Sequence, residues 1–280
     1  MRIIKRGAVV VLISCLVFVV NCSSGPTVTE SDKYSLESLR EEQKTAVGKD
    51  KVDILNRIAY LMYQYNHDCD VKYAKDAIRL AEEINYEKGL ADAYNNLGLV
   101  HIIKGELEKG KSDFEKAKNY FEEQLKVGEN KSLKKSEEVG YKRGMARAHN
   151  GMGLFYQVGS EYGQALYEFF ESRKICENNQ IDRRVLSDCY HGIGVLYFYD
   201  GSFFDLTLEY FKKSLRLRKK IGDQNAISVS YYSLGEVLRA KAAKEGKSDY
   251  RLARKYFSKA LELSSKFKNR YVEANVYQGM

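Results

Sequence analysis

At 280 residues, with 44% hydrophobic and 30% charged side chains, the chain is long enough for one or two ordinary domains with a large core. It holds one proline, Pro26, and no tryptophan, so the strongest helix-breaker is missing beyond residue 26 and an all-helical body is favoured. The formal charge of +8 is a mild excess that selects no nucleic acid or other partner class, and Arg2, Lys5 and Arg6 contribute part of it.

Residues 1–22 have the layout of a bacterial export signal: a basic start, an apolar run from Ala8 to Val20, then Asn21-Cys22-Ser23-Ser24-Gly25. The run is too short for a comfortable membrane span. A cysteine directly after such a run resembles a lipoprotein signal, in which that cysteine carries the lipid, palmitate among its acyl chains, and becomes the new N-terminus. Cys22 is the expected lipidation site. Asn21 departs from the small residue usual before it, so Cys15, within Leu12-Ile13-Ser14-Cys15, is the alternative, and an uncleaved anchor is a third. Ser23 after Cys22 leans towards the outer rather than the inner membrane. Residues 23–50 are polar and read as a tether, helical over Ser35 to Thr45. Residues 51–280 form the body.

From Val52 the chain repeats itself. Five segments align on a small residue: Leu55 to Met62 on Ala59, Tyr94 to His101 on Gly98, His149 to Tyr156 on Gly153, Tyr190 to Tyr197 on Gly194, and Tyr231 to Leu238 on Gly235. Large residues flank the small one at helical spacing. The copies recur about every 40 residues, and one interval is about 15 longer, with a Lys- and Glu-rich insertion near Val127 to Glu138 that extends a helix or loops out. Each is followed by a second helical pattern of small, large and small residues: Ala74/Ile78/Ala81, Gly110/Phe114/Ala117, Ala165/Phe169/Ser172, Thr207/Phe211/Ser214 and Ala253/Phe257/Ala260. Extra residues at Ser202 to Asp205 and around Ala243 to Ser248 are expected in turns. Glycine in a helix costs about 1 kcal/mol against alanine. Four at one register need a compensating close approach of the paired helix.

This pattern resembles the tetratricopeptide repeat over about Val52 to Lys266, with Tyr271 to Met280 opening a sixth copy. The period exceeds that of the standard repeat, the family's proline at the end of the second helix is absent, and its Trp position holds Leu55, Tyr94, His149, Tyr190 or Tyr231. The resemblance implies an all-α, right-handed superhelical solenoid of antiparallel helix pairs, about five repeats plus the start of a sixth. It also implies a concave groove lined by the first helices, with ligand contacts at their second, fifth, ninth, twelfth and thirteenth positions. Carried onto this chain, the fifth position gives Asn56, Asn95, Asn150, His191 and Tyr232. The others give Tyr60, Leu99, Leu154, Ile102, Gln157, Phe198 and Arg239. Three asparagines in register form a ladder of donors and acceptors able to hold an extended peptide main chain, or else to bridge adjacent helices. A clamp for a C-terminal carboxylate is not expected, since Arg147 and Arg239 are its only strong candidates.

Of the four histidines, His101 and His149 hold core-type positions and none has metal spacing with another. Cys176 and Cys189 are expected as buried thiols, a bridge between them being the alternative. Neither a phosphate-binding G-x-x-x-x-G-K-S/T nor a G-x-S-x-G or H-E-x-x-H pattern occurs. The expectation is therefore no enzyme, no cofactor, no small-molecule substrate and no nucleic acid, but a lipid-anchored scaffold of the cell envelope for a peptide or protein partner. The alternative is the sensory repeat region of a signalling protein of kinase or cyclase type. Basic residues at Lys212, Lys213 and Arg216 to Lys220 mark either a solvated helix face or a contact with an acidic lipid or partner.

Overall fold

The computed structural model describes residues 30–65, 71–130, 133–179, 181–247, 249–266 and 270–279. The expected signal, with Cys15 and Cys22, and residues 23–29 of the expected tether lie outside them. Every element described is helical: α1 (Glu30–Thr45), α2 (Gly48–Tyr65), α3 (Lys72–Glu83), α4 (Glu87–Ile103), α5 (Leu107–Asn130), α6 (Lys135–Val158), α7 (Tyr162–Asn179), α8 (Arg183–Asp200), α9 (Phe204–Ile221), α10 (Gln224–Lys244), α11 (Arg251–Lys266) and α12 (Arg270–Gly279). The pairs α2/α3, α4/α5, α6/α7, α8/α9 and α10/α11 are the five repeats. α12 is the first helix of a sixth, with Val272 and Val276 fully buried. The protein is an all-α solenoid of antiparallel helix pairs.

Local chemistry sets the boundaries. The Asp182 carboxylate accepts from the backbone N–H groups of Arg184 and Val185 at the start of α8, and Asp223 does the same for Ala226 at the start of α10. Gly201 and Gly222, at φ +68° and +83°, end α8 and α9 in the left-handed region that glycine alone enters without strain.

The large residue of each second helix is the centre of its repeat. Phe114, Phe169, Phe211 and Phe257 are at most 2% exposed, and each ring sits where a glycine has no side chain. A Cβ on Gly98 would lie 2.7 Å from Phe114, one on Gly153 2.7 Å from Phe169, one on Gly194 2.6 Å from Phe211 and one on Gly235 2.6 Å from Phe257. The same rings also press on the next repeat: Phe114 on Gly151, and Phe169 on Gly192, where a Cβ would be 2.5 Å away. The small residues around each ring, Ala117, Ala165, Ser172, Thr207, Ser214 and Ala260 among them, are sealed in the core. In the first repeat Ala59 and Ile78 replace the glycine and the phenylalanine, and Ile78 is half-buried.

Three expectations change. The residues read as a partly helical tether include a packed helix, because Leu36 and Leu39 of α1 are buried against Ile58 and Met62 of α2. The insertion near Val127 prolongs both α5 and α6 to 24 residues rather than one of them. Part of the stretch expected as a turn after Ala243 belongs to the end of α10. Cys176 and Cys189 are free, buried thiols. Burial pushes the Cys176 thiol up to about 12, and Cys189 donates to Ser172 Oγ at 3.0 Å, which in turn donates to the Ala146 carbonyl at 2.6 Å.

If the ring-in-notch contact holds adjacent repeats, Phe169→Ala destabilises by about 3–5 kcal/mol. Gly192→Ala also destabilises, against helix propensity, whereas Gly163→Ala in open space does not. Urea midpoints followed by circular dichroism check all three.

Candidate binding groove

Consecutive first helices pack on one another through most of the stack, while consecutive second helices stay apart, so the first-helix face is the inside of the curve. The curvature is strong enough for Tyr60 of the first repeat to feel charges on the fourth. Burial and the Asp182 carboxylate push its phenol well above the usual range, with Asp188 adding and Arg147 and Arg184 opposing. Arg147 also lies over the Tyr60 ring at 4.4 Å.

The asparagine ladder is present, but its amides point along the stack. Asn56 Nδ2 donates to the Gly89 carbonyl at 2.8 Å, and Asn95 Nδ2 to the Gly144 carbonyl at 3.0 Å. Each acceptor lies on the next first helix, six residues before that helix's own fifth position. Asn96 continues the network: its Nδ2 donates to Asn56 Oδ1 at 3.1 Å, while its Oδ1 accepts from Arg147, which also faces Asp92 at 3.9 Å. Asn150 Oδ1 accepts from Cys189 Sγ at 3.4 Å. All three ladder asparagines are buried. The amide NH2 groups of Asn56 and Asn95 are therefore engaged between repeats, the helix-bridging arrangement that the ladder also allowed.

At the next junction His191 stands where an asparagine would. It stacks on Phe211 with centroids 5.1 Å apart, and its Nδ1 is buried without a partner among the described residues. The carbonyl in the equivalent place, Ala226, accepts instead from Arg218 at 3.1 Å. Arg218 reaches Ser230 Oγ at 2.8 Å and Asp188 Oδ1 at 3.2 Å as well. Burial raises the Asp188 carboxyl above the usual carboxylate range, and Arg218 works against that. Yet the Asp188 side chain stays 39% exposed. Burial first, then Arg218, holds His191 well below the usual imidazole range.

Of the other expected groove residues, Leu99, Ile102, Gln157 and Tyr232 are buried, and the Gln157 Oε1 lacks a partner among the described residues. Tyr60, Leu154, Phe198 and Arg239 are half-buried, with Arg239 held by Glu236 at 2.8 Å. The half-buried set and Asp188 form the surface a ligand could touch. Asp188, Asp92 and Asn96 were not among the expected residues, although Asp188 and Asp92 fall at the second helix position that the resemblance itself named. His149 bonds the Glu168 carboxylate and His101 that of Asp113 at 2.7 Å. Among the described residues no cluster of His, Cys, Asp or Glu could hold a metal ion. No helix described is long and apolar enough to cross a membrane.

The His191 environment has a sign that can be tested. Below about pH 6.5 the unfolded chain takes up a proton there that the folded protein refuses, so stability falls with acid. His191→Phe, which keeps the stack on Phe211, flattens that part of the curve. Denaturant midpoints between pH 8 and pH 5 measure it.

Neither a protein-family model nor a curated protein matches the chain. Solved structures do. The chain is similar to BtubC (BKLC) from P. vanneervenii, with a TM-score of 0.53 and 17% identity over 85% of this chain and 90% of that one. It is similar also to a Rap protein complexed with Competence and Sporulation Factor, with a TM-score of 0.61 and 12% identity over 89% of this chain and 64% of that one. A putative kinesin light chain of TPR-like repeats from Podosopora anserina matches at a TM-score of 0.44 and 12% identity, over 77% of this chain and 96% of that one. At these identities the likeness is one of fold, an all-helical repeat solenoid, and the first two structures carry it.

Proposed function

We propose that this chain is an exported, lipid-anchored scaffold that holds an extended peptide or protein segment against the inner face of its repeats. The observation that carries the reading is a set of half-buried side chains on first helices, Tyr60 of the first repeat, Leu154 of the third, His191 and Phe198 of the fourth and Arg239 of the fifth, together with the partly exposed carboxylate of Asp188. The aromatic and aliphatic members receive apolar side chains, and Asp188 accepts from a main-chain N–H or a basic group. Because Asn56, Asn96, Arg147 and Arg218 are already bonded within the stack, the surface is preformed and little ordering cost falls on binding. The Rap protein of similar fold, solved with Competence and Sporulation Factor, supports a bound segment of this kind. That likeness also favours a second reading, in which the repeats are the peptide-responsive part of a signalling system.

A segment selected from a random peptide library tests the groove. Its affinity, read by fluorescence anisotropy, falls tenfold or more in Tyr60→Ala/Phe198→Ala and is unchanged in Tyr167→Ala, which is 60% exposed on a second helix. Equal affinity in all three proteins overturns the assignment. The anchor is tested separately: palmitate labelling in cells is lost in Cys22→Ala, and labelling that persists moves the lipid to Cys15.

A further inference from the structure

The outer, second-helix side of the stack is uneven in charge. On α3, Arg79 sits between Asp76 and Glu83, and on α7 Arg173 and Lys174 pair with Glu177 and Glu171. α9 and α11 break this balance. α9 exposes Lys212, Arg216, Lys219 and Lys220, and α11 exposes Arg254, Lys255 and Lys259. None of these has a carboxylate partner among the described residues. The acidic groups of α9 are engaged elsewhere, Glu209 by Lys213 at 2.7 Å and Asp205 by Lys241 of α10. Among the described residues that leaves Glu262 as the one carboxylate on the two helices without a partner.

The two rows are one patch. Lys219 from α9 and Lys259 from α11 both lie over the Tyr231 ring, each at 5.4 Å, and so join the outer faces of the fourth and fifth repeats. Leu252, on the α11 side of the patch, is 54% exposed and shares a helix face with Lys255 and Lys259, three and seven residues further on. A large aliphatic side chain standing out of a field of unpaired cations meets two needs of one kind of surface: charge for phosphates and an apolar residue for the acyl boundary. Nucleic acid fits less well, because the ring within the patch, Tyr231, is buried and offers no base a stacking face.

We propose that the outer face of α9 and α11 docks on a bilayer containing anionic phospholipid, with the lysines and arginines on the headgroup phosphates and Leu252 entering beneath them. This contact is independent of the groove and of the acyl anchor. It would orient the repeats with their inner face turned away from the membrane.

The test uses full-length protein carrying Cys15→Ser and Cys22→Ser, so that no acyl chain contributes, and co-sedimentation with vesicles of phosphatidylcholine alone or with roughly one third phosphatidylglycerol. The comparison is Lys212→Glu/Lys219→Glu/Lys255→Glu/Lys259→Glu in the same background, where Arg2, Lys5 and Arg6 are common to both proteins and cancel. Expected is binding to the anionic vesicles roughly tenfold or more above phosphatidylcholine, lost at high salt and lost in the charge-reversed protein. Leu252→Ser alone weakens it a few-fold. Should the reversed protein lose its helical signal, the Lys→Gln set at the same four positions replaces it. Equal anionic-vesicle binding by both proteins overturns the proposal, as does tighter binding to a short DNA duplex than to the vesicles.

Discussion

The placement of a phenylalanine ring into notches left by glycines sets the geometry on which everything else depends. Phe114 and Phe169 each touch a glycine of their own first helix and another of the next, so a single side chain fixes both the pairing inside a repeat and the step to its neighbour. The glycines weaken each helix by about 1 kcal/mol, and the ring is worth about 1.5–3 kcal/mol when buried. The gain therefore comes only when neighbours are stacked. That makes each hairpin dependent on the next, as expected of a quasi-one-dimensional fold.

Close approach has a second consequence, for polar groups. Once first helices sit side by side, a short carboxamide such as Asn56 or Asn95 can span from one helix to a carbonyl on the next, and burial makes that bond obligatory. Where His191 replaces the amide, it cannot span the same gap, and Arg218 enters from the second helix to serve the Ala226 carbonyl. Arg218 then needs a counter-charge, and Asp188 supplies it while keeping one side towards the groove. One change of residue type thus converts a sealed junction into one with an ionisable group on the inner surface.

The fold was legible because its signal is self-repetition. Gly98, Gly153, Gly194 and Gly235, with Phe114, Phe169, Phe211 and Phe257, recur at one register, and each pair reappears in the structure as a ring against a glycine. The site was legible only in part. The right helices and the right face could be read, but a residue's position on a face does not say what it bonds to. Asn56 is served by Gly89, and Asn95 by Gly144, partners some 33 and 49 residues away whose approach depends on the superhelical step rather than on local pattern. Asp188 carries no mark in the sequence for the opposite reason: it is one carboxylate among many on helix surfaces, and only the superhelical step brings it, with Asp182, near Tyr60. Helix was expected over Ser35 to Thr45, but not its packing, because Leu36 and Leu39 are a short apolar pair in a polar stretch, too little periodicity to announce a buried face.

The two sides of the solenoid stand under different constraints. Inner-face residues must serve carbonyls and carboxylates of adjacent repeats, so much of their chemistry is dictated by packing. The outer faces of α3, α5, α7, α9 and α11 meet water, and packing asks nothing of their charges. On α3 and α7 that freedom has produced near balance through pairs three and four residues apart, the arrangement that supports a helix. On α9 and α11 it has produced an excess of cations, of which Lys219 and Lys220 in the last turn of α9 suit that helix's dipole while the rest serve no pair along either helix. The excess is confined to two adjacent repeats bridged at Tyr231 rather than spread over all five, and that confinement sets this face apart from the rest of the outer surface.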